Sequence, residues 1–273
     1  MNTRSCRILK LLRRGDIPKL LKINLSEPRV VEIAGLCGAD GVWLCTEHVP
    51  NDWIGIENQI RAGRVHDIDV LVRVARGSYS DYIRPLEAGA TGIIVPHVNS
   101  ADEARQIVDW VRFHPIGRRA IDGGNVDGNF CQLPLEDYIL HSNSERIIIL
   151  QIESPEALEQ VEEIAAVPGF EGLLFGPGDF SHRIGKVGRL DLPEIASARK
   201  RIAAAATQHG KFAMTSGLIA PVEQLLAEGY RVFNLGADVA LLGDGFKERL
   251  SAQIGNPSGL PTLVKIGNQS LYG

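Results

Sequence analysis

The sequence predicts a single-domain α/β protein, a (β/α)8 TIM barrel that spans residues 1–273. Eight short apolar runs alternate with segments of helical periodicity, a pattern typical of a parallel sheet with helical crossovers. The length of 273 residues suits such a barrel, which needs about 250. No GxGxxG motif follows the first run, which disfavours the alternative fold, an open doubly wound sheet.

The predicted strands are rich in β-branched and aliphatic residues. They are Leu20–Leu25, Gly41–Glu47, Asp69–Ala75, Gly92–Val98, Arg146–Glu153, Gly172–Gly176, Lys211–Ser216 and Arg231–Leu235. The helices predicted between them include Pro28–Cys37, Tyr82–Ala88, Ala101–Phe113, Pro155–Ala166, Pro193–His209 and Ala220–Glu228. Capping residues such as Ser100 and Ser154 precede helices, and Gly89 and Gly229 follow them.

Two parts of the chain depart from this alternation. Residues 1–17 and 251–273 are predicted to be peripheral to the barrel. The segment Pro115–Glu145 contains the turn-rich run Ile121–Phe130, and a loop of this length is usually either functional or disordered.

Composition excludes several classes of protein. The chain has 29 basic and 33 acidic residues, a net charge of −4, whereas a general nucleic-acid binder carries a clustered basic excess. No uncharged apolar run approaches the roughly 18 residues of a membrane span, and the basic N-terminus lacks the apolar core of a signal peptide. The 4 cysteines are scattered, unlike those of a disulfide framework or a zinc finger. We therefore expect a reduced, cytoplasmic protein of the size of an enzyme.

Polar side chains interrupt or close several of the predicted strands. The carboxyl ends of barrel strands meet at one mouth, where catalysis takes place. The residues placed there are Glu47, His48, Arg73, Gln151, Glu153 and Gly176–Asp179. Gln151 and Glu153 are two residues apart on one strand, so their side chains point to the same face.

Glu153 and Asp179 are the candidate metal ligands. They follow neighbouring strands, and paired carboxylates suit Mg²⁺ or Mn²⁺, which keep waters that a substrate can displace. The alternative interpretation is that each carboxylate caps the helix or turn that follows it.

His48 and Arg73 are the candidate reactive groups. A neutral imidazole at the mouth suits a general base near pH 7, although a lone histidine is more often structural. Arg73 lies in an apolar strand and needs an anionic partner. That partner is either a substrate carboxylate or enolate, or the side chain of Glu47.

Taken in order, these motifs resemble the HpcH/HpaI family of class II pyruvate aldolases, which includes 2-keto-3-deoxy sugar acid and 4-hydroxy-2-oxo acid aldolases. The similarity runs from about Leu20 to Leu250. The motifs that carry it are Glu47–Asp52, Val72-Arg73, Ile94–Pro96, Gln151–Ser154 and Gly176–Ser181.

The resemblance implies a TIM barrel, usually in a hexamer whose subunits exchange the last helix. It implies a divalent metal ion (Mg²⁺, Mn²⁺ or Co²⁺) on Glu153 and Asp179, with His48 as the base and Arg73 steadying the enolate. It also implies that Gln151 and the backbone of Gly178 and Asp179 bind the 2-oxo acid. Glu87 would pair with His48 and make it a stronger base. Glu47 would lie behind these residues and hold them in position.

Three departures from the family pattern affect these roles. Glu87 stands fourteen residues after Arg73, where the family has an aspartate. Cys45 replaces another aspartate, three residues before His48. The segment that follows Arg119 lacks the small-residue, arginine-containing loop expected near the aldehyde, so the acceptor is not carried over from the family.

We interpret the protein as an aldolase that joins pyruvate or hydroxypyruvate to an aldehyde, or cleaves the product. We expect Pro115–Glu145 to form part of the aldehyde pocket. No lysine is placed for Schiff-base chemistry, and Lys22 is only a distant candidate. The alternatives are a lyase of coenzyme A esters, of the citrate lyase beta or malyl-CoA lyase type, a phosphosugar isomerase and a non-catalytic barrel.

Overall fold

Eight parallel strands close into a barrel in chain order in the computed structural model, which describes residues 4–254. The strands are β1 (Lys19–Lys22), β2 (Gly41–Cys45), β3 (Asp69–Arg73), β4 (Gly92–Val95), β5 (Ile147–Ile152), β6 (Gly172–Phe175), β7 (Phe212–Thr215) and β8 (Tyr230–Ala237). Every predicted strand is confirmed, with ends that differ by a few residues. The (β/α)8 prediction is therefore correct.

Helices surround the barrel. They are α1 (Arg7–Arg13), α2 (Pro28–Leu36), α3 (Trp53–Val65), α4 (Tyr79–Glu87), α5 (Ala101–Val111), α6 (Leu135–Glu145), α7 (Pro155–Glu159), α8 (Val161–Ala166), α9 (Pro177–Arg183), α10 (Pro193–Gln208), α11 (Val222–Glu228) and α12 (Asp238–Ile254). The hydroxyls of Ser100 and Ser154 cap α5 and α7, as predicted. No helix in residues 4–254 is long and apolar enough to cross a bilayer.

The core has two layers, because alternate strand residues point inward and outward. The inner layer fills the barrel and includes Leu20, Trp43, Leu71, Ile94, Ile149, Leu174, Met214 and Val232. The outer layer packs the strands against the helices, as Val72 and Leu173 do. The interior of the barrel is therefore packed with side chains.

The N-terminal segment is not peripheral, contrary to the prediction. Ile8 and Leu9 of α1 are buried in the inner layer. The carboxylate of Asp69, at the start of β3, accepts the backbone N–H of Ile8 at 2.7 Å and a guanidinium N–H of Arg4 at 2.8 Å. Residues 4–13 thus close the amino end of the barrel, because α1 has an apolar face that only the barrel interior can bury. Of the C-terminal segment 251–273, residues 255–273 lie outside the described residues.

The segment Pro115–Glu145 also lies at the amino end of the barrel, and it contains α6. Its Val126 donates a backbone N–H to the carbonyl of Glu87, where α4 ends ahead of β4. Its Asp127 pairs with Arg146, which immediately precedes β5. Within one chain this segment cannot line the mouth, so the expected aldehyde pocket is not built from it.

Asp127 is expected to stabilise the fold only above about pH 4. Burial by itself would raise the pKa of Asp127, but Arg146 and Arg119 outweigh burial, so the pKa lies below its usual value. Because the pKa of Asp127 is lower in the folded protein than in the unfolded chain, its ionised form stabilises the fold. This contribution to the free energy of unfolding is complete above the pKa of the unfolded chain, about 3.9, and is lost as the pH falls below that value. We expect Asp127→Asn to lower the free energy of unfolding by about 3 kcal/mol at pH 7.

Urea unfolding of the wild type and Asp127→Asn at pH 7, 5 and 3.5 measures this contribution. The difference between the two proteins should shrink at the lowest pH. A difference independent of pH would contradict the assignment.

Candidate active site

A cavity of about 520 Å³ opens at the carboxyl ends of the strands. Five of the predicted site residues line it: His48, Arg73, Gln151, Gly178 and Asp179. Barrel closure brings these residues together from four parts of the chain. The prediction of one shared mouth is thereby confirmed for this set.

Glu153 lies behind the cavity wall, directly after β5, and only 1% of its surface is exposed. Its Oε1 accepts the backbone N–H of His97 at 2.7 Å, and its Oε2 accepts the side-chain amide of Gln151. The alternative role as a helix cap is wrong, because Ser154 caps α7 instead. The carboxylate is therefore oriented by its neighbours toward the mouth side of β5.

The charges around Glu153 are unbalanced. Burial raises its pKa to about 8, and the nearby carboxylates Asp179 and Glu47 add to the increase, whereas the His97 N–H and Arg73 oppose it. A carboxyl group in this position is difficult to ionise unless a further positive charge is present. The excess of negative charge is the condition that a bound cation relieves.

A divalent metal ion fits these residues. Within residues 4–254 no group of three His, Cys, Asp or Glu side chains forms a metal cluster, so the protein offers the carboxylates of Glu153 and Asp179. Mg²⁺ is commonly held by one or two carboxylates, with waters or substrate oxygens completing its shell. The observation that decides the fit is the buried, electrostatically destabilised carboxylate of Glu153.

Gly176 leaves the space that Glu153 occupies. A Cβ at Gly176 would lie 2.8 Å from Oε2 of Glu153 and 2.9 Å from Nε2 of Gln151. We expect Gly176→Ala to displace the carboxylate and weaken metal binding about 10- to 100-fold. Titration calorimetry with Mn²⁺ measures this loss. Gly217→Ala is the control, since Gly217 also lines the cavity but has nothing within 4 Å of an added Cβ; equal losses would contradict the interpretation.

Arg73 has the partner in Glu47 that one of the two interpretations expected, and it also lies at the cavity. Its Nε lies 3.0 Å from Oε2 of Glu47, although the two groups are not aligned as a hydrogen bond. Its Nη2 contacts Sγ of Cys45 at 3.3 Å, and the side chain also lines the cavity. Glu47 therefore orients the guanidinium without removing it from the mouth.

His48 lies at the rim, where 60% of its side chain is exposed and Nε2 is 3.5 Å from Glu47. The expected pair with Glu87 does not form within one chain. Glu87 ends α4 at the amino end of the barrel, where its nearest basic group is Arg119 at 3.9 Å. Strand ends and helix ends alternate between the two faces of a barrel, so α4 carries Glu87 away from the mouth.

Sequence reasoning missed His97 and misplaced Lys22. His97 follows β4, with Nδ1 2.9 Å from Glu153 and Nε2 3.0 Å from Glu47, so it bridges the two carboxylates. The signal available was its position one residue after Ile94–Pro96. Lys22 lines the cavity rather than lying distant from it, beside Trp43 of β2.

Comparison with known proteins identifies the family. The family model described as HpcH/HpaI aldolase/citrate lyase matches residues 20–244. The chain is 34% identical to a 5-keto-4-deoxy-D-glucarate aldolase of Klebsiella pneumoniae, covering 80% of this chain and 82% of that one. It is 30% identical to a 2-keto-3-deoxy-L-rhamnonate aldolase of Escherichia coli, covering 88% and 90%.

Solved structures agree with this assignment. An HpcH/HpaI aldolase from Desulfitobacterium hafniense superposes with a TM-score of 0.85 at 25% identity, covering 94% of this chain and all of that one. The citrate synthase SbnG superposes with a TM-score of 0.82 at 26% identity, covering 92% and 97%. The citrate lyase beta subunit of Mycobacterium tuberculosis, at 21% identity, shows a similar fold only. The chain therefore belongs to the HpcH/HpaI aldolase/citrate lyase family.

Proposed function

We propose that this protein is a divalent-metal-dependent aldolase that makes or cleaves 4-hydroxy-2-oxo acids, with pyruvate or hydroxypyruvate and an aldehyde as the two fragments. The observation that carries the proposal is the buried carboxylate of Glu153 directly behind the cavity wall that Asp179, Gln151 and Arg73 line. The aldolase names of the relatives support the reaction class.

Glu153 and Asp179 would hold the metal ion, which when bound supplies Lewis acidity toward the 2-oxo group. Gln151 keeps Glu153 in place through its amide hydrogen bond. The first-turn N–H groups of α9 at Gly178 and Asp179 face the carboxylate of the 2-oxo acid, because such groups have no partner within the helix.

His48 removes a proton from C3 of the 2-oxo acid. The electron pair of the broken C–H bond becomes the C2–C3 double bond of an enolate, whose oxygen Arg73 stabilises. C3 then bonds to the aldehyde carbon, and the aldehyde oxygen takes up a proton to become the 4-hydroxyl group. Exposure of His48 at the rim lets it exchange protons with solvent.

The test measures exchange of pyruvate methyl protons in D₂O by NMR. Protein treated with a chelator should lose exchange, and Mg²⁺, Mn²⁺ or Co²⁺ should restore it. Aldol addition to a panel of aldehydes should show the same dependence. Full exchange in metal-free protein would refute the metal-dependent mechanism.

We also propose that the protein assembles through α12, in a hexamer as the resemblance implies. Large apolar side chains on this helix are exposed in the single chain: Val239, Leu241, Leu242, Phe246 and Leu250. Val239, Leu242, Phe246 and Leu250 recur at helical spacing on one side of α12, and an exposed apolar stripe of this kind is typical of an interface. Light scattering should give a mass several times 29.7 kDa. Leu242→Glu with Phe246→Glu should reduce it.

Within such an assembly, the pair of His48 and Glu87 would have to join two subunits, because one chain holds them at opposite ends of the barrel. Subunit mixing tests this proposal. A mixture of His48→Ala and Glu87→Gln proteins should regain activity that neither has alone. No recovery after verified exchange would rule out a pair of His48 and Glu87 between subunits.

The four cysteines (Cys6, Cys37, Cys45 and Cys131) are free. This supports the expected cytoplasmic location, where thiols stay reduced.

A further inference from the structure

A second, smaller cavity lies at the amino end of the barrel, on the side remote from the mouth, and we call it the amino-end cavity. Its volume is about 60 Å³, which is room for one small oxyanion and not for a nucleotide. Three arginines that are far apart in the sequence line it: Arg4 ahead of α1, Arg64 in the last turn of α3, and Arg146 directly before β5. None of them belongs to the candidate active site.

Arg64 lines this cavity without an acidic partner. Within residues 4–254 its guanidinium forms no hydrogen bond and no ion pair. Partial burial lowers the pKa of Arg64, and repulsion from Arg4 and Arg146 lowers it further. The side chain is exposed, so its N–H groups are open to a ligand. A cluster of like charges in this state is stabilised by a bound anion.

The other two arginines are held in position by carboxylates. Arg146 binds Asp127 through Nε at 2.8 Å and Nη2 at 2.7 Å, which leaves its Nη1 without a partner among the described residues. Arg4 binds Asp69 at 2.8 Å, and its unpaired Nη2 is enclosed, so Arg4 contributes positive charge rather than a contact. The hydrogen bonds to a ligand therefore come from Arg64 and Arg146.

The arrangement of these donors favours a phosphate group. A guanidinium presents its N–H groups in a planar fork that matches the oxygens of a phosphate. Arg64 and Arg146 reach the cavity from two different elements, and a tetrahedral phosphate has oxygens that point toward both. The two oxygens of a carboxylate point in one direction only. Asp127, the acidic residue of the lining, is already paired with Arg146 and Arg119, so its repulsion is offset.

We propose that the amino-end cavity binds a phosphate group between Arg64 and Arg146, at a site separate from the active site. The group is either inorganic phosphate or the phosphate of a small ester whose remainder extends past the exposed Arg64 into solvent. Once bound, it connects the N-terminal segment, α3 and the start of β5, and so it stabilises the amino end of the barrel. This site does not depend on the proposed reaction.

The experiment measures the Tm and the phosphate affinity of the full-length protein in inorganic phosphate, in glycerol phosphate and in sodium chloride of equal ionic strength. Phosphate at ten times its Kd should raise the Tm of the wild type by about 2 to 4 °C relative to chloride. Arg64→Gln should weaken phosphate binding about 10- to 100-fold in titration calorimetry, and Arg64→Lys should weaken it less. In chloride alone, Arg64→Gln should be at least as stable as the wild type, because it loses only repulsion.

Arg61→Gln is the matched control, since Arg61 lies one turn earlier on α3, pairs with Glu57 at 2.7 Å and is not part of the cavity lining. This variant should bind phosphate as the wild type does.

Glycerol phosphate that binds with the same dependence on Arg64 would support the site and identify an ester as the ligand. Binding of inorganic phosphate alone, with that dependence, would support the site and identify the free ion. An equal effect of phosphate on the wild type, Arg64→Gln and Arg61→Gln would overturn the site. Displacement of the phosphate by pyruvate would also overturn it, because the phosphate would then lie at the mouth.

Discussion

Glu153→Gln is expected to abolish metal binding and to reduce aldol activity by about 10³-fold or more. The substitution removes one of two charged ligands at nearly constant volume. The glutamine amide carries no negative charge to attract the cation. The remaining ligand, Asp179, is exposed to solvent and binds the cation only weakly by itself. Titration calorimetry with Mn²⁺ and NMR measurement of pyruvate exchange check both losses.

The same variant should be more stable than metal-free wild-type protein at alkaline pH. Because burial raises the pKa of Glu153 to about 8, the folded state holds its proton more tightly than the unfolded state does. Wild-type stability therefore decreases as pH rises from the unfolded pKa, about 4.3, to about 8. Glu153→Gln removes this decrease, so the difference in Tm between the two metal-free proteins should grow from pH 5 to pH 9.

Glu171→Gln separates this result from the general effect of replacing a glutamate that is at least partly buried. Glu171 lies at the amino end of the barrel, where its carboxylate pairs with Arg112 and accepts the N–H of Ile148. We expect this variant to lose stability and to keep its metal affinity. A Glu153→Gln protein that still bound Mn²⁺ normally would rule out Glu153 as a ligand.

His48→Ala should slow pyruvate proton exchange about 10²- to 10⁴-fold, the usual contribution of a general base. Metal affinity and Tm should change little, because the side chain is 60% exposed and, among the charged groups of residues 4–254, contacts only Glu47. The measurement is exchange in D₂O at saturating metal, with calorimetry on the same samples. His209→Ala, which replaces an exposed histidine next to α10, is the matched control.

Exchange at the wild-type rate in His48→Ala would transfer the role of base to another group at the mouth. Glu47 would then be the first residue to test, since it contacts His48, Arg73 and His97. A loss of metal affinity equal to the loss of exchange would instead give His48 a structural role.

Most of the barrel could be predicted because its signals are local. Each strand is a short apolar run bounded by turn residues, and Ser100 and Ser154 mark helix starts through hydrogen bonds within three residues. The elements that were missed or misjudged depend on distant contacts. No local sequence signal indicates that the apolar face of α1 packs inside the barrel. Likewise, the turn-rich sequence before α6 gives no sign that Asp127 forms a buried ion pair with Arg119.

The sequence alone determined the order of the strands and the polar residues at their carboxyl ends, and with them the placement of Glu153 and Asp179 after neighbouring strands. Only the tertiary structure decided which other side chains those residues contact. His97 between two carboxylates, Lys22 beside Trp43, and Glu87 at the far end of the barrel all follow from its closure. The physical reason is that hydrophobic periodicity specifies which face of a strand is buried. The partners of a polar side chain at the mouth come from elements far away in the sequence, as Asn24 does for Asp238, and their positions are set by the packing of the whole barrel.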